Sequence, residues 1–200
     1  MVHGYAARSD LVQGACGAHE RTFGPDDLIA DDASLQDVIV SLGKNGRCFL
    51  TSLGHVSAIV THDDLEKPPV RMFLFGMITL LEMVFVRLVE AAFSEEEWTA
   101  MVSPVRLEKA RELKAERERR GHSGRLINCL QFSDKGQVAL RIADVARSLD
   151  PKLSRKEAKR ALKELETLRN DLAHGQAFVS TSWERIVQFA TRLDDLLESI

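Results

Sequence analysis

Met72 to Leu81 is a run of ten residues without a charge, and its apolar character continues to Val89 with only Glu82 and Arg87 interrupting. A segment of that kind must leave water. A bilayer span takes about 20 predominantly apolar residues, so ten uncharged residues predict a buried core helix and no membrane partner. Pro68-Pro69 marks its start, because proline fits the first turn of a helix, where its missing N–H is not needed. The sequence therefore predicts one long helix from Val70 to about Phe93, with a different kind of chain on either side of it.

The C-terminal side reads as all-helical. Ser94 with Glu95-Glu96-Glu97 is an N-cap followed by acid in the first turn, which suits the positive end of a helix. Pro104 opens a charged helix running from Arg106 to Arg120, with seven basic and four acidic residues, the pattern of a solvated helix face. Leu126 to Phe132 predicts a short apolar helix, Ser133-Asp134 a cap for Gln137 to Leu149, Ser154 the start of another helix, and Thr181 or Ser182 the cap of a last one from Trp183 to Ile200. Trp98, Trp183, Met72, Met77 and Met83 read as core side chains.

The N-terminal side has strand signals. Ser34, with Asp37 three residues on, caps a helix whose stripe is Leu35, Val38, Ile39 and Leu42. Cys48-Phe49-Leu50-Thr51 is a short buried strand, Leu53-Gly54-His55 a turn, and Val56 to Thr61 the next strand. Val2 to Leu11 aligns without gaps on Val56 to Leu65, sharing a valine, an aspartate and a leucine, so each copy predicts a strand ending in an Asp-Leu turn. The fold class is α+β and predominantly helical.

Composition narrows the chemistry. The first 69 residues hold five Lys/Arg against ten Asp/Glu, and the remainder 22 against 20, so the C-terminal part is the better host for a polyanion. Cys16, Cys48 and Cys129 form no C-x-x-C pair and their odd number argues against a disulfide framework, as in a reducing, cytoplasmic setting. The six histidines show no metal-ligand spacing, so no metal is expected. Met1-Val2-His3-Gly4-Tyr5 has no secretory pattern, again predicting a cytoplasmic protein.

Helix, strand, turn, strand and an Asp-Leu helix start, ending in Thr61-His62-Asp63-Asp64-Leu65, resembles a CBS motif, a nucleotide-sensing unit that works in pairs. The resemblance covers a second motif at about 26–70 and only the closing strand of a first at 2–11, giving a partial α/β CBS region over 1–70. It implies adenine-nucleotide contacts from Thr61 and Asp64, and from Asp10 in the first copy, where Ala7 replaces the hydroxyl residue. Read without the resemblance, Asp64 caps the following helix and Thr61 is a β-branched strand end.

Near the other end stands Arg169-Asn170-Asp171-Leu172-Ala173-His174, followed by Gly175. Ala158, Ala161, Leu162, Leu165, Leu168 and Leu172 share one helical stripe, with Arg169 at its edge, about 40° from Leu165. Arg-Asn-x-x-x-His on a late helix resembles the signature of HEPN domains, helical bundles many of which are metal-independent ribonucleases. Over residues 71–200 that implies RNA as substrate, no cofactor for catalysis, and Arg169, Asn170 and His174 as the catalytic set. Histidine changes charge near neutrality and can move a proton, and arginine can bind a phosphate through two parallel hydrogen bonds. Arg169 and His174 lie five residues apart, about 140° around a helix, so one helix does not aim both at one phosphate. The resemblance implies a homodimer whose two signature helices line one cleft. The other reading of the same residues is a non-catalytic nucleotide-binding regulatory or dimerisation module, with Arg169 paired to a core carboxylate such as Glu82 and His174 a plain C-cap.

Overall fold

The computed structural model describes residues 2–11, 14–142 and 154–175. The described chain is α+β and mostly helical, with one two-stranded and one three-stranded sheet. It divides into two compact units between Phe73 and Leu74.

In the first unit β1 (Gly4–Tyr5) pairs antiparallel with β2 (Arg21–Thr22). The larger sheet has the order β3-β4-β5, in which β3 (Leu28–Ala30) runs parallel to β4 (Arg47–Ser52) and β5 (His55–Thr61) returns antiparallel. A parallel pair needs a crossover, supplied by α1 (Leu35–Asn45). Its start is the capping box of Ser34 and Asp37, and Gly46, at φ 70°, ends it. Ile39 and Leu42 are fully buried on α1, Cys48 and Phe49 on β4. Leu53 and Gly54 both have positive φ, the conformation that a two-residue hairpin favours.

Within residues 2–11 the expected strand is only two residues long, and the turn expected at Asp10-Leu11 follows as a 3₁₀ turn at Arg8–Asp10. The aromatic side chains explain where the chain goes instead. The Tyr5 ring lies 5.7 Å from Phe23 and 5.0 Å from Phe49, under the Arg47 guanidinium at 4.5 Å. Gly4 allows the close approach, since a Cβ there would sit 2.5 Å from the Arg21 carbonyl oxygen. Thus β1 pairs with β2 and does not join the three-stranded sheet.

The second unit begins inside α2 (Pro68–Ala92). By length and composition alone this helix is apolar enough to cross a bilayer, and 44% of its most apolar window is buried. Leu74, Met77, Ile78, Leu81, Phe85 and Val89 recur every three or four residues and form its buried face. Met72 and Met83, expected in the core, are 75% and 50% exposed. Eleven residues is close to three whole turns, so the two share the face opposite the buried stripe. Met77 alone of the three is buried.

α3 (Glu95–Thr99) is capped by Ser94 and Glu97 and buries Trp98. α4 (Pro104–Arg119) buries only Ala110 and carries ion pairs along its surface, among them Lys114–Glu118 at 3.2 Å. After a 3₁₀ turn at Leu126–Cys129 comes α5 (Phe132–Ala139). Here the expectation fails: Gln131 is the N-cap, and Ser133 and Asp134 lie inside the helix, both buried. Phe132 is drawn into the core, 5.8 Å from Phe85, and the helix begins with it. α6 (Arg155–Ala173) opens on the capping box of Ser154 and Glu157 and buries Ala158, Leu162, Leu168 and Leu172. The continuation expected to Leu149 and the final helix at 183–200 lie outside the described residues.

Candidate functional site

Three consecutive residues of α5 tie the second unit together by polar contacts. Ser133 Oγ donates to Glu166 Oε1 on α6 at 2.6 Å. Asp134 accepts Arg106 Nη1 of α4 on both oxygens at 3.0 Å. Lys135 Nζ donates to Glu82 Oε1 on α2 at 2.5 Å. Successive helix residues point about 100° apart, so a buried triplet can reach three different neighbours. Gly136 lets those neighbours close in: a Cβ there would lie 2.7 Å from Leu162 and 3.1 Å from Phe85.

Arg169 joins this cluster from α6. Its Nε is 3.9 Å from Glu82 Oε2, within ion-pair range but too far for a hydrogen bond. That nitrogen is buried and has no hydrogen-bond partner. The three side chains grade outward, Lys135 at 5% exposure, Glu82 at 19% and Arg169 at 37%. One carboxylate therefore faces two cations. The neighbouring acid, Glu166, is also held by Lys163 at 2.7 Å. Burial alone would push its carboxyl up, but the Lys163 ammonium and the Ser133 hydroxyl outweigh burial and hold it below its ordinary value.

Asn170 and His174 face the other way. Both are exposed, and the His174 backbone N–H, as C-cap, donates to the Asn170 carbonyl, while the Gly175 N–H donates to that of Leu172. Gly175 comes next with φ 67°, the left-handed residue that commonly ends a helix. Among the described residues no hydrogen bond or ion pair joins Arg169 to Asn170 or His174, so within this chain the Arg and the His are not brought together. The sequence pointed to Glu82 as the partner of Arg169. It did not reveal Ser133, Asp134, Lys135 or Glu166. The signal was there in outline, a polar triplet bracketed by Phe132 and by Val138-Ala139-Leu140.

Thr61, Asp64 and Asp10 belong to the first unit. Thr61 is the N-cap of a 3₁₀ helix at His62–Glu66, and its N–H and hydroxyl donate to Asp64 Oδ2 at 2.8 and 3.1 Å. Asp64 Oδ1 takes Lys67 Nζ at 2.5 Å. The Lys67 ammonium and then the Thr61 N–H hold the Asp64 carboxyl below its ordinary range. Asp10 accepts Arg21 at 2.5 Å and Ser9 at 3.2 Å. Both acids are thus engaged locally. A carboxyl whose folded value is depressed contributes stability that is complete above its unfolded value and is lost as pH falls through the folded one. Asp64→Asn is expected to cost no more than about 1 kcal/mol at neutral pH, since the pair is partly exposed. It should also flatten the loss of stability on acidification. Urea melts of the two proteins from pH 6 down to pH 2 measure it, and parallel curves would remove Asp64 as a source of that slope.

Among the described residues no group of three or more His, Cys, Asp and Glu side chains is placed to hold a metal ion. Comparison with family models, with curated proteins and with solved structures gave no match to this chain.

Proposed function

We propose that this protein is a metal-independent RNA-cleaving enzyme acting as a homodimer, in which Arg169 and His174 of the two protomers share one cleft. The observation that carries the reading is the state of Arg169. Its side chain is a third exposed, with a buried Nε that no acceptor satisfies, while His174 stands exposed about one turn further on. A buried donor without an acceptor is costly, and an arginine that its internal carboxylate does not fully engage keeps its capacity for a charge-assisted bond to a phosphate oxygen. RNA brings its own nucleophile. The 2′-oxygen attacks phosphorus, the bond from phosphorus to the 5′ oxygen breaks, and a 2′,3′-cyclic phosphate and a 5′-hydroxyl result. His174 takes the 2′-hydroxyl proton or returns one to the leaving oxygen, and Arg169 stabilises the extra negative charge at phosphorus. Asn170, exposed on the His174 side of the helix, orients the substrate.

An adenine nucleotide bound near Thr61 and Asp64 is the regulatory part of this proposal, and the ligand would have to take Asp64 from Thr61 and Lys67. The second reading, a non-catalytic binding or dimerisation module, is favoured by one observation: Arg169 already has Glu82 as an internal partner. Incubation with mixed single-stranded RNA in EDTA separates the two. Wild type is expected to produce cyclic-phosphate ends, and His174→Ala to lose at least about 100-fold in rate, the usual worth of a general acid or base, while remaining folded and dimeric. Equal cleavage by both proteins would remove His174 as the acid or base and sink the proposed site, and no cleavage by either would move the assignment to the binding module.

A further inference from the structure

We propose that Lys135 is a positioning residue for a phosphate-oxygen site at Arg169, and that Glu82 sets its strength by holding one of two cations in check. The proposal rests on the RNA reading of Arg169 for its substrate class, but its charge arithmetic does not involve His174. Glu82 carries one negative charge and faces two positive ones, Lys135 at 2.5 Å through Oε1 and Arg169 at 3.9 Å through Oε2. Among the described residues the other charges of the cluster are matched within it: Asp134 by Arg106, and Glu166 by Lys163. The surplus is one positive charge, located where Arg169 reaches the surface.

Geometry makes Lys135 the agent of that surplus. It is nearly fully buried on α5 and bonds Glu82 on the side away from Arg169, through the other carboxylate oxygen. A carboxylate held in this way does not swing to form the parallel two-bond pair with a guanidinium that arginine and carboxylate otherwise favour. Arg169 stays 3.9 Å off, its Nε unsatisfied. Without Lys135, Glu82 is free to close on Arg169, and the local charge falls from +1 to zero. Without the Glu82 charge, it rises to +2.

The two variants therefore move in opposite directions. Removing a structural support would weaken binding in both. The probe is a short, end-labelled single-stranded RNA fully 2′-O-methylated, so that the nucleophile is blocked and binding is read without chemistry. Anisotropy titrations of the full chain at low salt compare wild type, Glu82→Gln, Lys135→Met and the double variant, with circular dichroism confirming the fold. Glu82→Gln is expected to tighten binding on the order of tenfold and Lys135→Met to weaken it on the order of tenfold, as one charge near a phosphate does. The double variant restores a surplus of +1 and should return to within about threefold of wild type by the same arithmetic. It leaves neither charge of the pair stranded in the interior, so it keeps the test open where a single variant does not fold.

Weaker or unchanged binding by folded Glu82→Gln overturns the proposal, as does a double variant that binds no better than Lys135→Met. Inorganic phosphate is the second probe, read as a rise in melting temperature. The same order with phosphate but no RNA binding supports the phosphate-oxygen site and sinks the RNA reading. His174-dependent cleavage with no such order keeps the RNA reading and sinks the role of Lys135 and Glu82. No binding of either probe by any variant overturns both.

Discussion

Phe85→Ala is expected to lower the melting temperature by at least ~12 °C, more than any other single truncation in the helical unit. Phe85 is fully buried on α2, packs tilted against Phe132 with ring centroids 5.8 Å apart and lies against the backbone of Gly136. Removing a buried phenyl ring costs about 3–5 kcal/mol, because the transfer energy of the ring and the cavity left behind add. A domain of this size has on the order of 5–15 kcal/mol to lose, and each kilocalorie moves the midpoint by roughly 4–8 °C. The site cannot collapse onto the space cheaply, since the ring holds α2 against the residue where α5 begins. Thermal denaturation monitored at 222 nm measures the effect. A shift under about 4 °C, equivalent to 1 kcal/mol at most, would mean that Phe85 is not at the centre of the core.

The second large effect is a coupling. Lys135→Met removes one partner of a buried ion pair and leaves Glu82 with only the more distant Arg169. Breaking such a pair from one side costs about 3–5 kcal/mol, whereas replacing both partners is often close to neutral. The double variant Lys135→Met with Glu82→Gln is therefore expected to be more stable than Lys135→Met alone, with an interaction energy of roughly 2–3 kcal/mol in a double-mutant cycle. Urea denaturation gives the four free energies. Additive costs would show that the two side chains, 2.5 Å apart, do not act as a pair in solution.

The elements legible in the sequence are those whose signals are local. The capping boxes at Ser34, Ser94 and Ser154, the Pro68 start of α2 and the β4–β5 hairpin need only neighbours in the chain, and all lie where their residues put them. Of the stripe expected on α1, Ile39 and Leu42 are buried and Leu35 is exposed. The failures have a common cause in long-range contacts. The strand expected ahead of the Asp10-Leu11 turn stops after Tyr5, whose ring packs on Phe23 and Phe49. Ser133-Asp134 has the composition of a cap and became helix interior because partners 28 and 33 residues away satisfy it. Met72 and Met83 have the composition of core residues, but their angle on α2 places them opposite its buried stripe. At the site, Arg169 and Glu82 were legible as partners, since an arginine beside an apolar stripe demands an acid. Lys135 was not, because a lysine in a polar triplet looks solvated until the fold buries it.

The triplet on α5 also sets how the helical unit can change its length. Ser133, Asp134 and Lys135 lock α6, α4 and α2 at one height, each through a different direction of the same short helix. One residue inserted between Phe132 and Lys135 would turn the rest of α5 by about 100° and carry Lys135 away from Glu82. One inserted before Gln131 leaves the three pairs intact. The loop from Arg120 to Arg125 can thus lengthen or shorten as a spacer, while α5 behaves as a key cut to a single pattern.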